Sequence, residues 1–581
     1  MKGTFGKLLT IDLTAKSTRS EEIPDHVFEG YLGGKGLGAY LLKQLNPPGV
    51  DPLSPGNRLI LTTGPACGFP VWGANRYAAF TKSPLTGIFA ESYSGGKAFQ
   101  PLSRIGYDAF VFEGALADWG YLEIDASGVD YHDAGSLMGK DALETERLLR
   151  ERYPGRESAV LTIGPAGEKL VLYAYVNNDY GRCLGRTGIG AVLGSKRIKA
   201  LVFRGSLGKE AADPALLERF RKEWGRTGRD HPVTEAYRTK GTSMVVDLTN
   251  KAEAFPSRYW QEGRVEHWQQ INSEALHREC SVKATACTYC FMACTRQSEV
   301  AGGRHKGLKI DGPEYETIYA FGGLNLVDDI REIAYLNDVC DRLGIDTMTA
   351  GNVTAFAVEA YKRGKSEFAI DYGQVDRIAE LLELIAAREG IGDLLADGVR
   401  AAARKLDLEE ISIQVKGLEP AGYDPRTLEG MALAYAVADR GACHLRTTFY
   451  KPELSGMIAP HSNEGKAEMF LEYEDRLAIF DCLIICRFFR DYYYWGELST
   501  IVEGSLGLKL QEEDLKAIAA RVARTIREYN LQEGMRPEDD TVPEFFFTHP
   551  VGSGKVRLDH DHFGELLGDY YRLRGNRLVL R

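Results

Sequence analysis

The chain lacks any apolar run of about 18 residues, so no membrane-crossing helix is expected. It also lacks a polybasic run, and its net charge of −11 argues against nucleic acid or an anionic membrane surface as a partner. The first residues, MKGTFGKLLTIDLT, alternate like a strand and carry no apolar signal-peptide core. Cysteine is scarce, ten in 581 residues, and is not spread as a disulfide framework would be. No low-complexity segment and no internal repeat is apparent. These absences exclude a membrane-spanning, secreted or nucleic-acid-binding protein and lead to the expectation of a cytoplasmic one.

Glycine is plentiful at the start: 29 of the 63 glycines fall in the first 200 positions. Between them lie short β-type runs, KLLTIDLT, RLILTTG, DAFVFEG and SAVLTIG. After KALVFRGSLGKE the pattern changes. In DPALLERFRKEWGR, Asp213 reads as an N-cap and Pro214 as the first helical residue. Helical periodicity then dominates in DRIAELLELIAAREGIG, LLADGVRAAARKL and LKAIAARVARTIREYNL. The expected fold class is α+β: a β-sheet-built base at 1–207, then two mainly α-helical domains at 208–412 and 413–581.

The stretch CTYCFMAC places Cys287, Cys290 and Cys294 within eight residues. Thiolates are soft ligands suited to iron–sulfur clusters, zinc or Cu(I). Three thiols on one loop leave a fourth ligand to come from elsewhere. An iron–sulfur cluster, a zinc site completed by Cys280, or simple buried cysteines all fit this spacing. A second feature narrows the choice. CDRLGIDT carries Asp341, Gly344 and Asp346, and DCLIICRF carries Asp481 and Cys486. Both follow the pattern D-x-x-(G or I)-I-(D or C).

With these segments in view, the sequence resembles the aldehyde:ferredoxin oxidoreductase family of tungsten or molybdenum bis-pterin enzymes. The resemblance is carried along nearly the whole chain by YLGGKGLGAYLL, ANRYAAFTKSPLTG, SYSGGKAFQPLSRIGYDAFVFEG, IGPAGEKL, VNNDYGRCLGRTGIGAVLGSKRIKAL, CTYCFMAC, DGPEYETIYAFGGLN, CDRLGIDT, YDPRTLEGMALAYAVADRGACHLR and DCLIICRF, in the family's order. It implies a sheet-built base carrying two pterins, covered by helical domains that leave a channel to the metal. It implies a [4Fe–4S] cluster held by Cys287, Cys290, Cys294 and Cys486. The turns from Asp341 to Asp346 and from Asp481 to Cys486 would each grip one pterin, with Arg76 between cluster and pterin. A magnesium ion would bridge the pterin phosphates through the carbonyls of Tyr93 and Cys183; Tyr93 stands where the family commonly has Asn.

Residue chemistry is compatible with this. The glycines of SYSGG and GRTGIG, Gly95 and Gly185 among them, let backbone N–H groups approach a phosphate. Arg76 and Arg182 offer forked hydrogen bonds to phosphate or sulfur. The resemblance assigns the active-site pair to Glu316, with Glu314 as its rival, and His444. Histidine polarises a carbonyl oxygen, and a carboxylate activates water. Arg446 falls near a pterin. Cys280, Cys340, Cys443 and Cys482 are expected to be packing cysteines. Within FFRDYYYWGEL a helical core segment is favoured over an aromatic substrate pocket. Arg487 and Arg490 are read as a basic patch for an acidic ferredoxin.

The implied reaction is oxidation of a small aldehyde, with electrons passing to ferredoxin or a dedicated iron–sulfur subunit. A homodimer is compatible, but without the family's bridging metal, because Tyr335 stands near the expected Glu. The rivals are a tungsten-dependent aryl-CoA reductase subunit and a zinc-bearing scaffold.

Overall fold

The computed structural model describes residues 1–575. Short β-rich runs punctuated by glycine dictate strands, and the first third of the chain forms twelve of them. The first six are β1 (Lys7–Asp12), β2 (Ser17–Glu22), β3 (Leu59–Thr62), β4 (Tyr77–Lys82), β5 (Phe89–Ser94) and β6 (Ala109–Glu113). The next six are β7 (Gly120–Asp125), β8 (Gly128–Asp133), β9 (Ser158–Thr162), β10 (Val176–Asn178), β11 (Arg182–Leu184) and β12 (Ile198–Arg204).

They make two six-stranded sheets, ordered β2-β1-β6-β3-β4-β5 and β8-β7-β12-β9-β10-β11. Strand n of the first sheet corresponds to strand n+6 of the second. The directions agree as well: β1·β6 and β7·β12 are parallel, and the other neighbours are antiparallel. The base is therefore a duplicated sheet, which corrects the reading of no internal repeat. The surviving signal is short: LTTGPA at 61–66 against LTIGPA at 161–166, and VFEG against VFRG at the ends of β6 and β12.

Helices follow where the periodicity placed them. Pro214–Thr227 starts on Asp213, whose side chain accepts the Leu216 N–H. The helices Val375–Ala387 and Glu512–Gln532 match their sequence patterns. LLADGVRAAARKL breaks into Ile391–Leu395 and Gly398–Leu406, because Gly398 adopts φ +83°. A small antiparallel sheet of β13 (Cys280–Thr285), β14 (Thr295–Val300) and β15 (Lys309–Asp311) interrupts the helical part. Apolar side chains collect in two large cores. One joins Phe356, Leu382, Met431 and Phe546, on both sides of position 412. The other joins Phe80 and Phe110 of the first sheet to Leu217, Phe480 and Val522. The last six residues of the 413–581 stretch lie outside the described residues.

The duplication extends to the helices that dock on the base. Helices Ile330–Leu343 and Lys466–Leu483 each end in a left-handed residue, Gly344 (φ 79°) and Ile484 (φ 62°). The following Ile345 bridges Ala174, and Ile485 bridges Ala74, positions 100 apart. Beneath each bridge lies a glycine. A Cβ on Gly164 would stand 2.3 Å from the Leu343 carbonyl oxygen, and one on Gly64 would stand 2.7 Å from that of Leu483. Both contacts are to backbone, which does not yield easily. Gly164→Ala is therefore expected to destabilise the fold by about 3 kcal/mol, read from the urea midpoint. An unchanged midpoint would show that the clamp is loose.

Candidate active site

The two helix ends bring the sequence-selected aspartates to the base. Asp341 sits in the last turn of Ile330–Leu343, where its side chain accepts from Tyr175 Oη at 3.1 Å and Asn337 Nδ2 at 2.8 Å. Burial pushes its carboxyl well above the usual range. Asp346 caps the helix Thr347–Lys362 through the N–H groups of Met348 and Thr349, and it receives Arg186 Nε at 2.9 Å. Asp481 is held by Arg446 at 3.1 Å and by Arg487. Arg446 also meets Glu91, which Lys35 reaches at 3.1 Å. Burial alone would raise the pKa of Glu91, but Arg446, Lys35 and Arg440 hold it below the carboxylate range. Tyr93, opposite Ala78 across β5 and β4, donates its hydroxyl to Glu91 at 2.5 Å.

A cavity between base and helices is lined by Tyr93, Cys183, Gly185, Arg186, Glu316, Asp341, Asp346, Arg440, His444 and Arg446. Glu316 lies on the short helix Tyr315–Ile318. Its Oε2 accepts the Gly422 N–H at 3.0 Å, and its Oε1 stands 3.3 Å from His444 Nε2. Burial pushes the Glu316 carboxyl up to about 8. Burial and the nearby Arg186, Arg440, Arg446 and Arg487 push His444 well below 6.5. At neutral pH this is accordingly a contact between two neutral groups, not an ion pair. Glu314, the rival carboxylate, lines the same cavity from the N-cap position of that helix, but its side chain accepts the Thr242 hydroxyl and makes no contact with His444 like that of Glu316.

Four buried atoms on the cavity wall, Glu316 Oε1, His444 Nδ1, Arg440 Nε and Arg446 Nε, have no hydrogen-bond partner within the chain. Leaving such groups unmet is costly. A large polar, anionic occupant would satisfy them, so the wall fits a pterin cofactor.

The cysteine triplet occupies the loop between β13 and β14. Cys486 reaches it from the second helix end, with its N–H bound to the Gly73 carbonyl at 2.8 Å. Arg76 donates Nη2 to Cys486 Sγ at 3.0 Å, and the Gly96 N–H points at Cys287 Sγ at 3.1 Å. A Cβ on Gly95 would stand 2.3 Å from Arg76 Nη1 and 3.2 Å from Cys287 Sγ, so a side chain here would displace the Arg76 guanidinium beside the thiols. Burial pushes the Cys290 thiol up to about 12, with Cys287 and Cys486 adding to the shift, and carries Cys294 well up. Four neighbouring thiols, with burial making Cys290 and Cys294 harder to ionise, are a donor set suited to positive charge. Among the described residues, no three His, Cys, Asp or Glu side chains close tightly enough for a single metal ion. Arg182 joins this group, with Nε 3.2 Å from Asp311. Gly344 lies outside it, at the clamp.

Two readings need correction. Arg487 and Arg490 are 8 % and 2 % exposed and bind Asp481 and the Arg487 carbonyl, so they form no surface patch. Cys443 is not a packing cysteine. Arg440 Nη2 lies 3.1 Å from its sulfur. Burial would raise this thiol, but Arg440 and Arg446 bring it down to about 7. The aromatic run packs as core: Phe489, Tyr492 and Tyr493 are buried, in a single 3-10 turn and a loop. Lys35, Glu91, Arg186 and Arg440 were missed. Glu91 and Arg186 stand beside the chosen SYSGG and Gly185, a signal that proximity in sequence offered.

Four gathered thiols and a polar cavity with a buried carboxyl–imidazole pair could serve a redox cofactor. Family models described as "Aldehyde ferredoxin oxidoreductase, N-terminal domain" and "Aldehyde ferredoxin oxidoreductase, domains 2 & 3" match residues 8–205 and 219–577, and the chain belongs to this family. It is 33 % identical to the tungsten-containing aldehyde ferredoxin oxidoreductase of Pyrococcus furiosus, over 99 % of this chain and 96 % of that one. It is 28 % identical to the aliphatic sulfonate oxidoreductase, WOR-like subunit, of the same organism, over 95 % and 90 %. The fold also matches the active site complex BamBC of benzoyl coenzyme A reductase, with TM-score 0.85 and 24 % identity over 99 % of this chain and 95 % of that one. Membership implies a tungsten–pterin cofactor. No helix among the described residues is long and apolar enough to cross a membrane.

Proposed function

We propose that the chain oxidises an aldehyde to the carboxylic acid with water, and that the electrons leave through a [4Fe–4S] cluster. The observation that carries this reading is the Glu316–His444 pair, 3.3 Å apart on the wall of a cavity that Arg446 links to Asp481, at the start of the clamp that ends in Cys486. Cys287, Cys290, Cys294 and Cys486 would hold the cluster, with Arg76 beside it. The clamps at Asp341–Asp346 and Asp481–Cys486 would each face one pterin, and the carbonyls of Tyr93 and Cys183 would meet magnesium. When bound, the tungsten centre supplies a two-electron acceptor and the cluster a one-electron relay.

The side chains divide the remaining work. His444 is kept neutral by burial and four arginines, so it donates an N–H to the aldehyde oxygen without carrying a full charge. Glu316, once ionised, takes a proton from the water that attacks the carbonyl carbon. Its carboxyl holds a proton up to about 8, so the base is available above that pH and lost below it. Aldehyde and water give acid, two protons and two electrons.

Metal analysis of anaerobically purified protein tests this reading. About four irons per chain with stoichiometric tungsten, or molybdenum in its place, is the expected result, together with viologen reduction driven by simple aldehydes. Zinc without iron, or turnover of an aryl-CoA and of no aldehyde, would overturn it.

A further inference from the structure

The cysteine loop is held at two strained points. Tyr289, just before Cys290, and Ala293, just before Cys294, adopt left-handed φ angles of 52° and 45° without being glycine. Such residues persist only where their surroundings fix them. The Tyr289 carbonyl accepts the Gly73 N–H at 2.8 Å. The Ala293 carbonyl accepts Nη2 of Arg296.

Arg296 reaches that carbonyl from β14, where alternation puts it on the buried face with Ser298 and Val300. It is 2 % exposed. Its other acceptors are the carbonyls of Tyr237 at 3.1 Å, Arg238 at 2.8 Å and Thr239 at 3.0 Å, in the last turn of the helix Pro232–Lys240. The nearby carboxylates are engaged elsewhere: Asp311 pairs with Arg182, and Glu314 accepts the Thr242 hydroxyl. No carboxylate among the described residues pairs with Arg296, and its Nε has no partner there. Carbonyls at a helix end carry only partial negative charge, so most of a full positive charge stays buried here. The point where Gly241 would carry a Cβ lies 3.1 Å from the Cys294 carbonyl oxygen and 3.2 Å from Arg296 Nε, which sets that charge beside Cys294.

We propose that Arg296 is a positioning residue of the thiol group: it latches the loop at Ala293 and places a buried positive charge beside Cys294 that makes the cluster easier to reduce. The inference rests on the proposal that these cysteines hold a [4Fe–4S] cluster. On each reduction the cluster takes up one of the two electrons from the aldehyde, its charge becomes more negative by one, and no bond or proton changes hands. A fixed cation nearby stabilises the reduced form more than the oxidised form. Arg76 meets the thiols at Cys486 instead.

The test is a redox titration of the anaerobic holoenzyme, read by electron paramagnetic resonance, for wild type, Arg296→Gln and Arg296→Lys, with iron release to a ferrous chelator timed alongside. Arg296→Gln removes the charge, and its cluster is expected to become at least tenfold harder to reduce, a fall of about 59 mV for one electron. Arg296→Lys keeps the charge but not the fork, so its potential is expected to stay at the wild-type level while iron leaves ~10-fold faster. Bound iron with an unchanged potential in Arg296→Gln would overturn the inference. Should Arg296→Gln not fold, Arg296→Lys decides: a lowered potential, or iron release at the wild-type rate, would overturn it there. Wild-type protein that holds no iron would overturn the cluster reading itself, which an unchanged potential with iron bound leaves intact.

Discussion

Glu316→Gln is expected to lower kcat about 1000-fold, within the range general-base catalysis supplies, and to remove the pH dependence of what activity remains. The amide keeps the shape and the Gly422 N–H contact but cannot take a proton. In the wild type, kcat/KM should climb with pH and level off above about 8, because burial holds the Glu316 proton to about that value. The sign follows from the role: a base acts when ionised, so activity is present above its pKa and lost as pH falls through it. His444→Ala should abolish turnover as well, while tungsten and iron contents stay at wild-type levels. A wild-type profile in the Gln variant, or full turnover in the Ala variant, would remove the pair from the mechanism. Glu314→Gln tests the rival: Glu314 accepts the Thr242 hydroxyl, so that variant is expected to keep most of the activity, and a loss as deep as that of Glu316→Gln would pass the role to Glu314.

Cys486→Ser should be as severe by another route. Cys486 is the one thiol of the four supplied by a distant segment, and Arg76 Nη2 points at it from 3.0 Å. A hydroxyl is a poorer iron ligand than a thiolate, so iron content and visible absorption are expected to fall. Electron delivery to any acceptor should drop by more than ~100-fold, beyond the cost of losing a supporting group around a metal. The chain should still fold, because its N–H bond to Gly73 is backbone and survives. Circular dichroism separates loss of cluster from loss of structure. Cys280→Ser should leave iron intact: Cys280 opens β13, at the far end of that strand from the loop that begins its thiols at Cys287. Loss of metal in the Cys280 variant would return the zinc reading to favour.

Much of this was legible before the structure, for reasons that differ residue by residue. Asp213 and Pro214 announced a helix start because capping is local chemistry. The two D-x-x-(G or I)-I-(D or C) segments stood out because each must leave a helix through a left-handed residue, which constrains several positions together. The duplicated sheet was not legible. Strand pairing needs only alternation and apolar side chains, so the two copies keep little in common beyond the turn where Gly64 and Gly164 meet a helix end. Arg487 and Arg490 misled because charge suggests surface, whereas here Asp481 and backbone carbonyls draw both inward. Cys443 misled although Arg440 and Arg446 stand three residues away on either side, because only the fold turns Arg440 Nη2 onto the sulfur, to 3.1 Å.

The two clamps share a plan but finish differently. One ends in Asp346, a cap turned inward on Arg186, and the other in Cys486, turned toward the half-buried loop. A seat made twice over treats both halves of its occupant alike, as a socket with two identical jaws would. On the proposed reading only one jaw is wired: charge generated in the seat would leave on the Cys486 side, where the thiols gather, and not on the Asp346 side, where Arg186 closes the wall. The terminal residue of the repeated unit, Asp346 in one copy and Cys486 in the other, is where a symmetric holder would gain its polarity.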